Sequence, residues 1–219
     1  MKINNSLFCV TTVIAVAGCT SARFIDDFEV DTIGEAPLAE PDGTPSDRVL
    51  SVGRIGSITV SNVAPIAGSK SLNIAGPGRS VVYMYAEALN DTSQGVYASW
   101  EGRLSPGSAA NISLFSGHFS TIAEIIFDTG VITAGGNQVG AYSPGQDHSI
   151  LLYANPANDT YQVSSFGAVS SGGLRSGSVT NPSEFPQTII GLSFALIDGG
   201  STDNYRVDSV RMTEGRPPS

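Results

Sequence analysis

Apolar and polar residues alternate in short runs along most of this chain, with a period of two. Residues 96–104 show it most cleanly. Val96, Ala98, Trp100 and Leu104 fall on one side of an extended backbone, and Tyr97, Glu101 and Arg103 on the other. Runs rich in Val, Ile, Thr and Tyr predict strands over 24–30, 57–63, 71–75, 81–86, 95–104, 122–127, 149–154, 160–165, 188–196 and 204–212. Gly, Asn, Asp and Pro separate them, and no window sustains an apolar period of 3.6. The expectation is an all-β antiparallel sandwich of jelly-roll type with little helix. The Pro- and acid-rich stretch 33–47 reads as a loop, and the Ser/Gly-rich stretch 167–186 as a long mobile one. Neither a second domain nor a repeat is visible, so 24–213 is expected to form one domain and 214–219 a frayed tail.

The first 23 residues break the pattern. One cation, Lys2, precedes an apolar run over 7–17 that ends in Val16-Ala17-Gly18-Cys19. The run is shorter than the roughly 20 apolar residues that span a bilayer, and its small residues before a cysteine describe an export signal. Val16-Ala17-Gly18-Cys19 resembles the lipobox of bacterial lipoproteins. The resemblance implies that 1–18 is removed, that Cys19 carries the lipid, and that 19–23 is a short tether to the bilayer. Thr20 is not the aspartate that holds such lipoproteins at the inner membrane. The cell envelope is therefore the expected location, and the outer membrane where there are two. The other cysteine, Cys9, lies in the removed segment, so no disulfide is expected in the mature chain.

Composition narrows the partners. Eleven Lys+Arg against 20 Asp+Glu give a formal net charge of −9. Such a chain gains nothing from nucleic-acid phosphates. Its 25 glycines and 12 prolines favour turns over long helices. His118 sits in one expected turn and His148 follows another, Pro144-Gly145-Gln146-Asp147, each without a second histidine at ligand spacing, which disfavours a transition-metal site. No Gly-x-Ser-x-Gly elbow marks a serine hydrolase, and Gly135-Gly136 opens no helix that would hold a nucleotide.

Three segments carry a family resemblance. They are Asp26-Asp27-Phe28-Glu29 with Gly34, Gly68-Ser69-Lys70-Ser71-Leu72-Asn73-Ile74, and Asn204-Tyr205-Arg206-Val207-Asp208-Ser209-Val210-Arg211-Met212. In that order they resemble the opening, early and closing strands of the concanavalin A-like jelly roll, a fold of lectins, glucanases and glycan-binding modules. The resemblance implies paired first and last strands. It also implies one structural calcium ion, with Glu29 from the opening strand, Asp208 from the closing strand and a Gly68-Ser69 carbonyl as ligands. The alternative is that both acids cap turns or face water. The fold itself hosts many functions and names none.

Catalytic motifs of that fold do not carry over. The alternating Asp27, Glu29 and Asp31 lie at the start of the chain and lack the mid-chain Glu-x-Asp-x-Glu of the glucanases. Trp100-Glu101-Gly102-Arg103 supplies only part of the lyases' Arg-x-Glu-x-Arg. The expected ligand face is Tyr97, Glu101 and Arg103, with the sole tryptophan, Trp100, either at the site or filling the core. Tyr83 and Tyr85 on a neighbouring run stand under the same alternatives. The expected function is a membrane-anchored carbohydrate-binding or structural module, bound to glycan or another envelope polymer. The alternative is a divergent carbohydrate-active enzyme, a lyase or glycoside hydrolase.

Overall fold

The structure is a computed structural model. It describes residues 24–38, 48–52, 57–86, 95–116, 121–155, 160–167, 175–178 and 189–215. Cys9, Cys19, the signal segment and His118 lie outside the described residues.

Among the described residues every regular element is a β-strand, and the strands form two antiparallel sheets. One sheet runs β13 (Arg175–Ser178), β12 (Thr160–Gly167), β11 (His148–Asn155), β6 (Val96–Leu104), β15 (Asn204–Glu214), β4 (Ser71–Ala75) and β3 (Ile58–Ser61). The short opening strand β1 (Phe24–Asp26) also pairs with β15. The other sheet runs β10 (Asn137–Ala141), β9 (Val131–Ala134), β8 (Thr121–Asp128), β7 (Ala109–Ser116), β14 (Ile189–Gly199), β5 (Gly78–Tyr85) and β2 (Arg48–Val52). The expected antiparallel sandwich is the fold observed, and the first and last strands are partners.

Alternation decides which side chains meet between the sheets. Along β6, Val96, Ala98, Trp100 and Leu104 are buried while Tyr97, Ser99, Glu101 and Arg103 are partly exposed. Trp100 and Tyr205 from one sheet pack with Phe127 and Phe194 from the other, Trp100 edge-on to Phe194 at 5.4 Å. Three polar side chains meet inside this core. The Trp100 indole N–H donates to the Tyr205 hydroxyl at 2.9 Å, and that hydroxyl lies 3.3 Å from His148 Nε2. The imidazole stacks on Phe127 with centroids 4.9 Å apart. Gly102 makes room for the pair, since a Cβ there would stand 2.5 Å from the Tyr205 oxygen and 2.6 Å from His148 Nε2.

Several expectations are corrected. The opening strand ends at Asp26 rather than at 30, because Phe28 adopts φ 61° and turns the chain to bury its ring. Asp27, Glu29 and Asp31 therefore do not share a strand face. His148, which follows the expected turn, opens β11 and lies in the core. Strands β2, β7, β10 and β13 arise where no strand was expected, and β13 lies within the Ser/Gly-rich stretch. The closing strand runs two residues past Met212, with Glu214 paired to Val96, so Glu214 is strand and not tail, and residues 216–219 of the expected tail lie outside the described residues.

Candidate functional site

A joint forms where β15 changes partners. Residues Asn204–Val207 pair with β4, and Val210–Met212 pair with β1. At the changeover Ser209 and Val210 form a bulge opposite Trp100 of β6, with Ser209 at φ 51°. Residues 62–70 fill the gap and lie over the outer face of the sheet. The Ala67 amide donates to Asp208 at 3.0 Å, and Arg103 and Arg206 both donate to the Ala64 carbonyl, at 3.1 and 2.8 Å. Glu29 accepts from the Ser69 amide, the Ser69 hydroxyl and the Lys70 amide, at 2.7, 2.5 and 2.9 Å. These donors hold the Glu29 carboxyl below its usual range. The Lys70 ammonium bridges the carbonyls of Glu29 and Asp31, at 2.6 and 2.7 Å. Gly68 lets the loop approach, because a Cβ there would meet the Glu29 carboxylate.

The structure thus gathers Glu29 and Asp208, expected as metal ligands, around one loop. Amides and an ammonium already contact both acids or their backbone. A calcium ion would take carboxylate oxygens in exchange for some of those donors, so the residues fit the ion only after that exchange. Among the described residues no three acidic, histidine or cysteine side chains converge on one point. Asp208 is 1% exposed, and its pKa is raised to about 6. Burial is the main cause, opposed by the Ala67 and Ser209 amides and reinforced by Glu101 and Glu29.

The outer face of the same sheet carries the other predicted residues in rows across β15, β6 and β11. Arg206 stands opposite Arg103; Asp208, Glu101 and Ser149 form the next row; Arg211, Ser99 and Leu151 the next; Thr213, Tyr97 and Tyr153 the last. Ser99, Glu101, Ser149, Leu151, Ser209 and Arg211 line an open groove of about 380 Å³. That volume lies within the range of small-ligand sites. Glu101 and Arg211 supply opposite charges in the groove, and three serines supply hydroxyls. Tyr97 stands one row beyond it. Arg103 is committed elsewhere, since its Nε donates to Asp147 at 2.5 Å, an ion pair that raises its pKa. Trp100 is 1% exposed, so its ring fills the core. Of the residues expected at the ligand face, Glu101 and Trp100 line the groove and Tyr97 and Arg103 do not, while Arg211, Ser149 and Ser209 were not expected there. Arg211 shares the odd positions of its run with the inward Tyr205 and Val207, and only the bulge before it turns it outward, opposite Ser99 of a strand more than 100 residues away in sequence.

No family model matches the chain, and no curated protein matches it. Solved structures do. The catalytic domain of a glycoside hydrolase family 131 protein from Coprinopsis cinerea superposes with a TM-score of 0.59 at 10% identity, covering 90% of this chain and 95% of that one. The receptor-binding domain of botulinum neurotoxin mosaic serotype C/D gives 0.59 at 8% identity, covering 91% and 48%. A sialidase gives 0.54 at 13% identity, covering 89% and 19%. The chain therefore spans about a fifth of the sialidase and about half of the toxin domain. At these identities the likeness is one of fold: this is an all-β domain of two antiparallel sheets, in the jelly-roll class.

Proposed function

We propose that the mature chain is a lipid-anchored envelope module that binds glycan in the groove across β6, β11 and β15. The observation that carries the reading is the groove itself, where one carboxylate, one guanidinium and three serine hydroxyls face a space of about 380 Å³. Sugar hydroxyls both donate and accept, so mixed donors and acceptors on a rigid sheet suit them. Neighbours named as a glycoside hydrolase domain and a sialidase support a carbohydrate setting for the fold. The lipid at Cys19 places the module in the envelope, at the outer membrane in a two-membrane cell. Calcium enters the proposal at Glu29 and Asp208 as a structural ion.

The test is calorimetric titration of the mature domain with a polysaccharide panel, repeated for Glu101→Gln and Arg211→Ala. Both substitutions should weaken binding while leaving the fold intact. Wild-type affinity in both variants would remove the groove from the account.

A second reading, a divergent carbohydrate-active enzyme, has one observation in its favour. Glu101 and Asp208 are directly opposed across β6 and β15, and Asp208 holds its proton to about pH 6. A pair of carboxyls is the usual equipment of glycoside hydrolysis. Against it, Asp208 is covered by residues 62–70 and reaches no solvent-filled space. Release of reducing ends or unsaturated sugars from the same panel would establish the second reading over the first.

A further inference from the structure

The groove across β6, β11 and β15 holds two opposite charges that do not pair with each other. Glu101 on β6 faces Asp208, and Arg211 on β15 faces Ser99, so Glu101 and Arg211 occupy diagonal positions on neighbouring strands. Diagonal positions lie roughly 7–8 Å apart, close enough for an arginine to reach a carboxylate. Among the described residues no ion pair or hydrogen bond joins the two, and the exposed Arg211 guanidinium has no acceptor. Ser99, Ser149 and Ser209 line the same groove half-buried, and their hydroxyls bond to no described group.

Arg211 is not where plain alternation would put it. Tyr205 and Val207 point into the core, and a regular strand would send position 211 after them. The bulge at Ser209 and Val210 reverses the order and aims Arg211 outward. Ser209 takes φ 51° to make that bulge, a conformation unfavourable for any residue with a side chain. The chain thus accepts local strain and presents a guanidinium in a groove where no protein group receives it.

Charge on this face also differs from that of the chain as a whole. Arg103 is matched by Asp147, and Arg206 and Arg211 stand against Glu101 and Asp208. The local balance is near zero, whereas the whole chain carries −9. Repulsion from the remaining acids is screened beyond about 8 Å at physiological ionic strength, so contacts inside the groove decide what binds there.

We infer that the groove selects an acidic glycan, one whose sugars carry a carboxylate, and that Arg211 receives that carboxylate. A guanidinium presents parallel N–H donors that match both carboxylate oxygens. Sugar hydroxyls are left to Glu101, which accepts, and to the three serines, which accept and donate. Glu101 repels the sugar's carboxylate, so the acidic end lies toward Arg211 and Ser99 and the hydroxyl end toward Glu101 and Ser149. The inference rests on the glycan-binding reading of this groove and adds the ligand class to it.

The experiment is calorimetric titration of the mature chain with polygalacturonate and alginate, and with each polymer after its carboxyl groups are reduced to alcohols. Reduction keeps the backbone of the polymer and removes its charge. The variants are Arg211→Ala and Arg211→Gln. Arg79→Ala, at an exposed arginine near the start of β5 in the other sheet, controls for overall charge. Thermal melts show that each variant is folded. Wild type should bind at least one acidic polymer about tenfold or more tighter than its reduced form. Both Arg211 variants should lose that difference, and Arg79→Ala should keep it. Neutral polymers bound as tightly as the acidic ones, or bound alone, overturn the acidic class and leave the glycan reading standing. An acid preference that survives in both Arg211 variants, or that falls equally in Arg79→Ala, overturns the assignment to Arg211. No binding of any polymer, acidic or neutral, overturns the inference together with the glycan reading.

Discussion

Two buried groups should pull the stability of this domain in opposite directions as the pH falls. His148 is 1% exposed, and its pKa is lowered to about 4, chiefly by burial, with the Asp147 carboxylate and the Gln146 carbonyl pulling the other way. Its Nδ1 finds no hydrogen-bond partner. In the unfolded chain histidine titrates near 6.5. Below that pH the unfolded chain takes a proton that the folded core refuses, so stability is complete above 6.5 and declines toward 4. Over the 2 pH units from 6.5 to 4.5 the decline is about 2.7 kcal/mol, at about 1.36 kcal/mol per unit. Asp208 has the opposite sign. Its folded pKa of about 6 lies above its ordinary 3.8, so the folded state binds the proton first. Its contribution is complete below 3.8 and is lost as the pH rises through 6. Between pH 6 and 4.5 acidification returns about 2 kcal/mol.

The net change for the wild type from pH 7 to 4.5 is then a loss of about 1 kcal/mol from these two groups. Asp208→Asn keeps the acceptor for the Ala67 amide but removes the proton site, so that variant should lose about 3 kcal/mol over the same range. His148→Gln should gain about 2 kcal/mol over that range, even though it starts less stable at pH 7. The assay is urea unfolding at pH 7, 6, 5.5 and 4.5 for the wild type and both variants. Glu29 stays out of the window because its pKa is held below 4.5. Parallel curves for the wild type and Asp208→Asn would show that Asp208 titrates as an ordinary acid and refute the argument. A His148→Gln curve parallel to wild type would do the same for the imidazole.

Three further outcomes follow from separate parts of the chain. Tyr205→Phe leaves the Trp100 N–H without its only described acceptor and removes the partner of His148 Nε2. Urea unfolding should show a loss of about 1–3 kcal/mol, and a loss under about 0.5 kcal/mol would mean that the core network contributes little. Calcium at a hundredfold excess over its Kd should raise the melting temperature by roughly 5–10 °C in wild type and not in Asp208→Ala or Glu29→Ala. Identical wild-type melts in calcium and EDTA would remove the ion. Cys19→Ser should move the protein from the membrane fraction to the soluble one, since acyl chains are the anchor proposed, and full retention with membranes would end the lipoprotein reading.

The local pattern of the sequence decided the faces of the strands. The period of two along 96–104 sorted Trp100 to the core and Tyr97 and Glu101 outward, and the runs at 71–75 and 204–212 announced β4 and β15 almost to the residue. This works because successive side chains on a strand point to opposite sides whatever the strand pairs with. Strand β13, lying in a Ser/Gly-rich stretch, escaped that reading, since backbone pairing with β12 needs no apolar side chain. Likewise Phe28 reads as one more strand residue until the core it plugs is present.

What the residues do together was decided only by the tertiary structure. Glu101 faces Asp208 across 107 positions of chain, and Tyr83 meets Phe115 only because glycine, far along at 191, lets a ring cross β14. Arg103, outward as expected, is tied to Asp147 and to the Ala64 carbonyl by a loop whose place depends on the changeover at β15. His148 follows turn residues in the sequence yet stacks on Phe127 in the core. The physical reason is one of range. Alternation is written within a few residues, whereas the neighbour across a ladder is chosen by pairing between distant segments, which depends on how both sheets bury their inner faces at once.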